Sequence, residues 1–300
     1  MVYIIIMFEQ IKIQIGQNIV GNEDKIKMSL ASILSGGHIL IEDLPGTGKT
    51  TFAKCLTNAL NLDFKRIQFT SDLLPSDVLG FSFLSKDKFE IKKGPIFTNI
   101  VLADELNRAS PKTQSAFLEA MEEKNVTIDK ETFHLPDPFI VIATQNPSDL
   151  SGTSLLPESQ LDRFMISFSL DELNNEQQLN LLKNHDLTNV NNKSEINFKD
   201  LKPKNKVNIN DNVYGYIQNI KKFIDNNFLE IHISTRCLKQ IVSLAKSLTL
   251  LNGKDYLTFQ EIKDVIPYIL KHRIKIVEKT KVLDFINDEI LNKVPLPDDK

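Results

Sequence analysis

Three hundred residues, 41% of them hydrophobic, are enough to bury a sizeable core as one large domain or two modest ones, which excludes a disordered chain or a small stapled scaffold. A formal charge of -3, with lysines and carboxylates interspersed, excludes a surface that advertises as a whole for nucleic acid or an anionic membrane. The two cysteines, Cys55 and Cys237, match neither a disulfide framework nor a metal-ligand spacing, so buried thiols in a reducing, cytoplasmic setting are expected.

The opening run Tyr3-Ile4-Ile5-Ile6-Met7 is far shorter than the roughly 20 residues that span a bilayer, and no cleavage-site pattern follows it. It reads as an N-terminal strand or a start-site artefact. Short apolar runs at 39–41, 64–69, 100–103, 139–144 and 164–168 read as strands, and helical spacing appears between them at 23–34, 49–60 and 111–123. The last of these helices opens with Ser110 as a cap and Pro111 at its first position. The alternation predicts an α/β domain with a mostly parallel sheet, from which segments 80–93 and 126–134 project as hairpins.

After Leu170 the strand signals fade. Helical spacing at 173–182, 213–224, 237–250 and 259–269 predicts an all-helical second domain, so the domains are set at 1–170 and 171–300. The Asn- and Lys-rich stretch 185–211 reads as a long loop or weak linker within the second of them.

The first chemical signal is the strand Ile39-Leu40-Ile41, which runs through Pro45-Gly46-Thr47-Gly48 into Lys49-Thr50-Thr51 at the start of a helix. Phosphates need such a loop. Gly46 and Gly48 let backbone N–H groups turn inward, the helix N-terminus adds partial positive charge, Lys49 supplies a point charge and the Thr50 hydroxyl suits Mg²⁺. The strict pattern opens with glycine, where Asp43 stands here. A second strand, Ile100-Val101-Leu102-Ala103, ends in Asp104-Glu105: a carboxylate for the metal shell and one to polarise water, unless the pair merely caps the next helix. A third strand ends in Gln145-Asn146-Pro147, where Asn146 fits a water-orienting sensor and an ordinary turn is the simpler alternative. Arg163 precedes a predicted strand and Arg236 opens a predicted helix; either can serve a transferring phosphoryl group or sit in a surface ion pair. His38, His134, His185 and His272 show no metal spacing and are assigned to packing or capping.

These motifs, with Gln68-Phe69-Thr70-Ser71-Asp72-Leu73-Leu74-Pro75, Lys93-Gly94-Pro95-Ile96-Phe97, Glu119-Ala120-Met121-Glu122-Glu123 and Leu156-Pro157-Glu158-Ser159-Gln160-Leu161-Asp162-Arg163-Phe164, closely resemble the MoxR family of AAA+ ATPases. The resemblance implies a core with sheet order 5-1-4-3-2, a helical lid, and a homo-oligomeric ring, usually hexameric. It implies ATP and Mg²⁺ bound between core and lid: Val20, Gly21, Pro45, Gly46, Thr47, Gly48, Lys49, Thr50 and Thr51 hold nucleotide, and Thr50 and Asp104 hold the metal. Glu105 and Asn146 then handle water, Arg163 is the finger reaching an adjacent subunit, and Arg236 is the lid's second sensor. A Tyr-Pro pair is usual where Ser154-Leu155 stands, and the insert at 80–89 is short. The family further implies protein-client remodelling or metal-cofactor installation, and pairing with proteins that carry a von Willebrand A domain. A nucleic-acid motor, disfavoured by the charge, and a nucleotide-dependent scaffold with little turnover are the alternatives.

Overall fold

The computed structural model describes residues 2–43, 46–86, 88–146, 156–171, 174–175, 178–179, 193–201, 207–275 and 281–297. Five strands, β1 (His38–Glu42), β2 (Phe64–Gln68), β5 (Ile100–Asp104), β8 (Ile140–Gln145) and β9 (Phe164–Phe168), pair in parallel throughout. Their order across the sheet is β2-β5-β8-β1-β9, which is the expected 5-1-4-3-2 when the five are counted in chain order.

The central strands are buried on both faces, as parallel strands covered by helices must be. Ile39, Ile41, Ile100, Leu102, Ile140 and Ile142 join one apolar cluster; their neighbours Leu40, Val101, Ala103, Val141 and Ala143 join the other. The strand period of two thus separates two cores, one on each side of the sheet. On the first side lie α1 (Val2–Gly16), α2 (Glu23–Leu34) and α3 (Lys49–Ala59). On the second lie α4 (Pro75–Leu79) and α5 (Pro111–Glu123), the latter capped by the Ser110 hydroxyl, which accepts from the Thr113 N–H. Two antiparallel hairpins, β3 (Gly80–Ser85) with β4 (Lys88–Lys93) and β6 (Asn125–Ile128) with β7 (Glu131–His134), stand where hairpins were expected. The first presents exposed Phe81, Phe83, Leu84 and Phe89.

After the short α6 (Glu158–Leu161) that precedes β9, the longest elements described in the second half are three helices: α7 (Asp211–Asn227), α8 (Thr235–Leu251) and α9 (Phe259–Leu270). Ser234 caps α8 and Thr258 forms a capping box with Glu261 at the start of α9. A parallel pairing of Asn208–Ile209 with Tyr256–Leu257 is a small departure from an all-helical lid. The lid docks on the core through buried and part-buried polar contacts. Ser35 Oγ lies 2.8 Å from Ser247 Oγ and donates to Ser243 O, and His272 Nε2 lies 3.2 Å from Phe164 O. Arg273, with a side chain only 5% exposed, donates to Asp162 Oδ1, Phe164 O and Gln240 Oε1.

Two expectations are corrected. The N-terminal run is not a strand but the start of a 15-residue helix, because Met7, Phe8, Ile11 and Ile15 recur at helical spacing and bury one face against the core. Within the expected loop 185–211, Phe198–Leu201 forms a helical turn that buries Phe198 and Leu201. Much of the helix expected at 173–182, and Pro45 of the phosphate loop, lie outside the described residues. Cys55 and Cys237 are free and buried, and burial raises both thiols to about 11, as inert core cysteines require.

Candidate phosphate-binding site

The site lies at the C-terminal edge of the sheet, where β1, β5 and β8 end side by side. β1 hands over to a loop in which Gly46 and Gly48 both have φ +87°, a region that strains a side chain at either position. An added Cβ at either glycine would meet nothing within 4 Å, so backbone conformation rather than crowding demands glycine there. Gly48 is the N-cap of α3 and no side chain caps the helix, which leaves its first amides directed at the cleft.

Asp43, which stands where the strict pattern has glycine, makes a backbone contact and a side-chain contact here, and only the second needs its carboxylate. Its carbonyl accepts from Lys49 Nζ at 3.0 Å, and its carboxylate accepts from the Leu170 N–H at 3.3 Å. Burial lowers the Lys49 pKa, against the opposing pull of Asp43, Asp104 and Glu105.

Asp104 ends β5 with both carboxylate oxygens engaged: Oδ1 accepts from the Thr144 hydroxyl at 2.6 Å, and Oδ2 accepts from Arg66 Nε at 3.1 Å and Nη2 at 2.5 Å. Glu105 follows in the left-handed region (φ 56°, ψ 43°), an unusual conformation for a non-glycine residue and one that turns its carboxylate into the cleft. Its N–H donates to Thr144 Oγ1, and its Oε2 accepts from Gln68 Nε2 at 2.9 Å and lies 3.3 Å from Arg108 Nε.

Gly46, Gly48, Lys49, Thr50, Asp104, Glu105 and Asn146 therefore line one cavity of about 260 Å³, together with Arg66, Gln68 and Thr144. Pockets that enclose a drug-sized ligand run to roughly 300–1,000 Å³, so this one suits the phosphate end of a nucleotide. Among the described residues its lining holds none from the lid, and Val20, Gly21, Thr47 and Thr51 are likewise outside it. The 20–22 turn has Gly21 and Asn22 at positive φ, and Asn22 Oδ1 accepts from the Asp171 N–H.

Arg163 and Arg236 are not in this cavity. Both pair with Glu122 on α5: Arg163 Nη1 lies 3.0 Å from Oε2, and Arg236 Nη2 bonds Oε1. Arg236 also faces Asp162 at 3.6 Å, and the Arg163 Nε–H is buried with no partner among the described residues. Sequence reasoning assigned no role to Arg66, Gln68, Thr144 or Glu122. The available signal for the first two was a polar strand whose alternate positions end beside the Asp-Glu pair.

The histidines are structural where described: His38 Nδ1 accepts from the Val141 N–H and its Nε2 faces Met121 O. Among the described residues no cluster of three His, Cys, Asp or Glu side chains forms a metal site, and no helix is long and apolar enough to cross a membrane.

Comparison with known proteins agrees with this geometry. Residues 38–166 match the ATPase family associated with various cellular activities (AAA), and residues 222–293 match the AAA lid domain. The chain is 40% identical to the Bacillus subtilis protein YeaC, across 94% of this chain and 92% of YeaC. It is 32% identical to Chaperone MoxR1 of Mycobacterium tuberculosis, across 92% of this chain and 78% of the relative. A crystal structure from Cytophaga hutchinsonii superposes with a TM-score of 0.87 at 35% identity, covering 99% of this chain and 97% of that one. With its parallel P-loop core, its helical lid and a MoxR-named relative matched across 92% of its length, this chain belongs to the MoxR family of AAA+ ATPases.

Proposed function

We propose that this chain binds ATP with Mg²⁺ and hydrolyses it within a homo-oligomeric ring, usually hexameric in the family, to remodel a protein client or help install a metal cofactor. One observation carries the reading: Lys49, Thr50, Asp104, Glu105 and Asn146, from three separate segments, meet in a single cavity. The amides from Gly46 to Lys49, that of Thr47 among them, and the N-terminus of α3 cradle phosphate, with Thr51 just beyond, while Val20 and Gly21 serve the base side. The Thr50 hydroxyl and Asp104 carboxylate are hard oxygen donors in one cavity, the donor set Mg²⁺ takes. When bound, the ion neutralises phosphate charge. Glu105 takes the proton of the attacking water, and Asn146 orients that water.

Arg163 and Arg236 act on the neighbouring subunit's nucleotide. Their shared place on Glu122, away from their own cavity, supports this assignment. Arg236 does so as the lid's second sensor, beside the finger Arg163. The apolar hairpin formed by β3 and β4, with Phe89 78% exposed, suits contact with an unfolded client. A partner carrying a von Willebrand A domain and a cytoplasmic setting complete the proposal, with residues 1–170 as core and 171–300 as lid.

The test measures binding of ATP with Mg²⁺ and phosphate release by the parent chain and by Glu105→Gln. The variant is expected to keep nucleotide and to lose at least a hundredfold in turnover. A parent that binds no adenine nucleotide overturns the reading, and a variant that hydrolyses at the parent's rate overturns the role of Glu105.

A further inference from the structure

Arg66 and Gln68 stand two residues apart on the edge strand β2, so their side chains leave the same face of the sheet. Together they hold both acidic groups of the cavity. Arg66 Nε and Nη2 grip Asp104 Oδ2, Arg66 Nη2 also donates to Gln68 Oε1 at 2.7 Å, and Gln68 Nε2 donates to Glu105 Oε2. With Thr144 on Oδ1, neither oxygen of Asp104 is left without a donor.

A half-exposed arginine on a carboxylate is ordinarily a surface ion pair of little consequence. This one differs in its partner. Asp104, 13% exposed, is the residue assigned above to the metal, and a guanidinium seated on it excludes a divalent cation from the same oxygen. The Arg66 side chain is 48% exposed and can swing out into water once an arriving cation takes its place on Asp104.

We propose that Arg66 is an internal counter-ion that Mg²⁺ must displace, so that Arg66 sets the metal concentration at which nucleotide is held. The proposal rests on the reading of Asp104 as the metal carboxylate. A seat that is open only part of the time weakens the apparent affinity for its ligand by the open fraction. Removing Arg66 therefore raises apparent Mg²⁺ affinity, by roughly three- to tenfold for a charge-assisted pair at the protein surface.

The experiment titrates Mg²⁺ from a chelator-buffered zero into the full chain with a fluorescent, non-hydrolysable ATP analogue at fixed initial saturation, and reads the Mg²⁺ midpoint of nucleotide retention. Arg66→Ala is expected to lower that midpoint three- to tenfold. Arg66→Lys keeps the charge but loses the two-nitrogen grip, and it too is expected to lower the midpoint. A Lys variant with the parent's midpoint reduces the effect to background charge and overturns the latch. An Ala variant that loses nucleotide affinity with the Mg²⁺ midpoint unmoved makes Arg66 a phosphate ligand instead, and overturns it as well. A parent that retains nucleotide without regard to Mg²⁺ removes the metal reading of Asp104, which fails separately and takes the latch with it.

Discussion

The Thr144 hydroxyl donates to Asp104 Oδ1 at 2.6 Å and in the same place accepts the Glu105 N–H at 3.0 Å, so one β8 side chain fixes both acidic residues of the cavity. Replacing it with the isosteric Val leaves a part-buried carboxylate oxygen and a strained residue's amide without that partner. Thr144→Val is expected to cost about 1–2 kcal/mol of stability and to reduce kcat by tenfold or more. Urea unfolding and steady-state hydrolysis check the two effects, and a variant with parental kcat removes Thr144 from the positioning of Glu105.

If Arg163 serves a neighbour, two inactive variants should rescue each other. Arg163→Ala keeps a sound cavity but lacks the finger, while Glu105→Gln keeps the finger but lacks the base. Mixed rings contain interfaces that combine the good half of each, so mixing the two is expected to restore a measurable part of the parental rate. Mixtures no more active than the separate variants, under conditions where rings exchange subunits, would falsify the shared site.

Asp162 ties the core to the lid, accepting from Ser234 Oγ at 2.9 Å and from Arg273 Nε at 3.1 Å. Arg273 is nearly fully buried, so Asp162→Ala strands a cation. The expected loss is about 3 kcal/mol, at the low end for breaking a buried pair because Phe164 O and Gln240 Oε1 still accept from Arg273. The shift in urea midpoint measures it.

Acid should destabilise the chain earlier than its carboxylates alone would. Burial, aided by nearby Lys124 and opposed by the bond to Met121, lowers His38 to about 3, and burial takes His272 well below its ordinary value. Both are neutral in the folded state. Their contribution is complete above the unfolded value near 6.5 and is lost as pH falls from there toward the folded values, at about 1.4 kcal/mol per pH unit for each. Unfolding free energies at pH 7.5, 6.5 and 5.5 check the slope. His38→Gln is expected to be less stable at neutral pH yet to show a shallower decline between 6.5 and 5.5.

Much of this molecule was legible in its sequence because the signals were local. Ser110-Pro111 announced α5 to the residue, and the phosphate loop and the Asp104-Glu105 pair stood at the ends of apolar runs. The N-terminal helix was misread because its β-branched isoleucines favour a strand, whereas burial of Met7, Phe8, Ile11 and Ile15 against the rest of the core outweighs that preference. Arg66 and Gln68 escaped because their partners lie 38 and 37 residues away, and only strand pairing brings β2 beside β5. The common place of Arg163 and Arg236 on Glu122 is likewise a product of the lid's docking, which no spacing encodes.

Asp43 has its two ends in different business, the carbonyl with Lys49 and the carboxylate with the peptide of Leu170, just beyond β9. A lysine drawn onto phosphate gives up its bond to that carbonyl. One residue thus joins the phosphate lysine to the chain's exit from the sheet, so what Lys49 binds and how the strand is left share a neighbour.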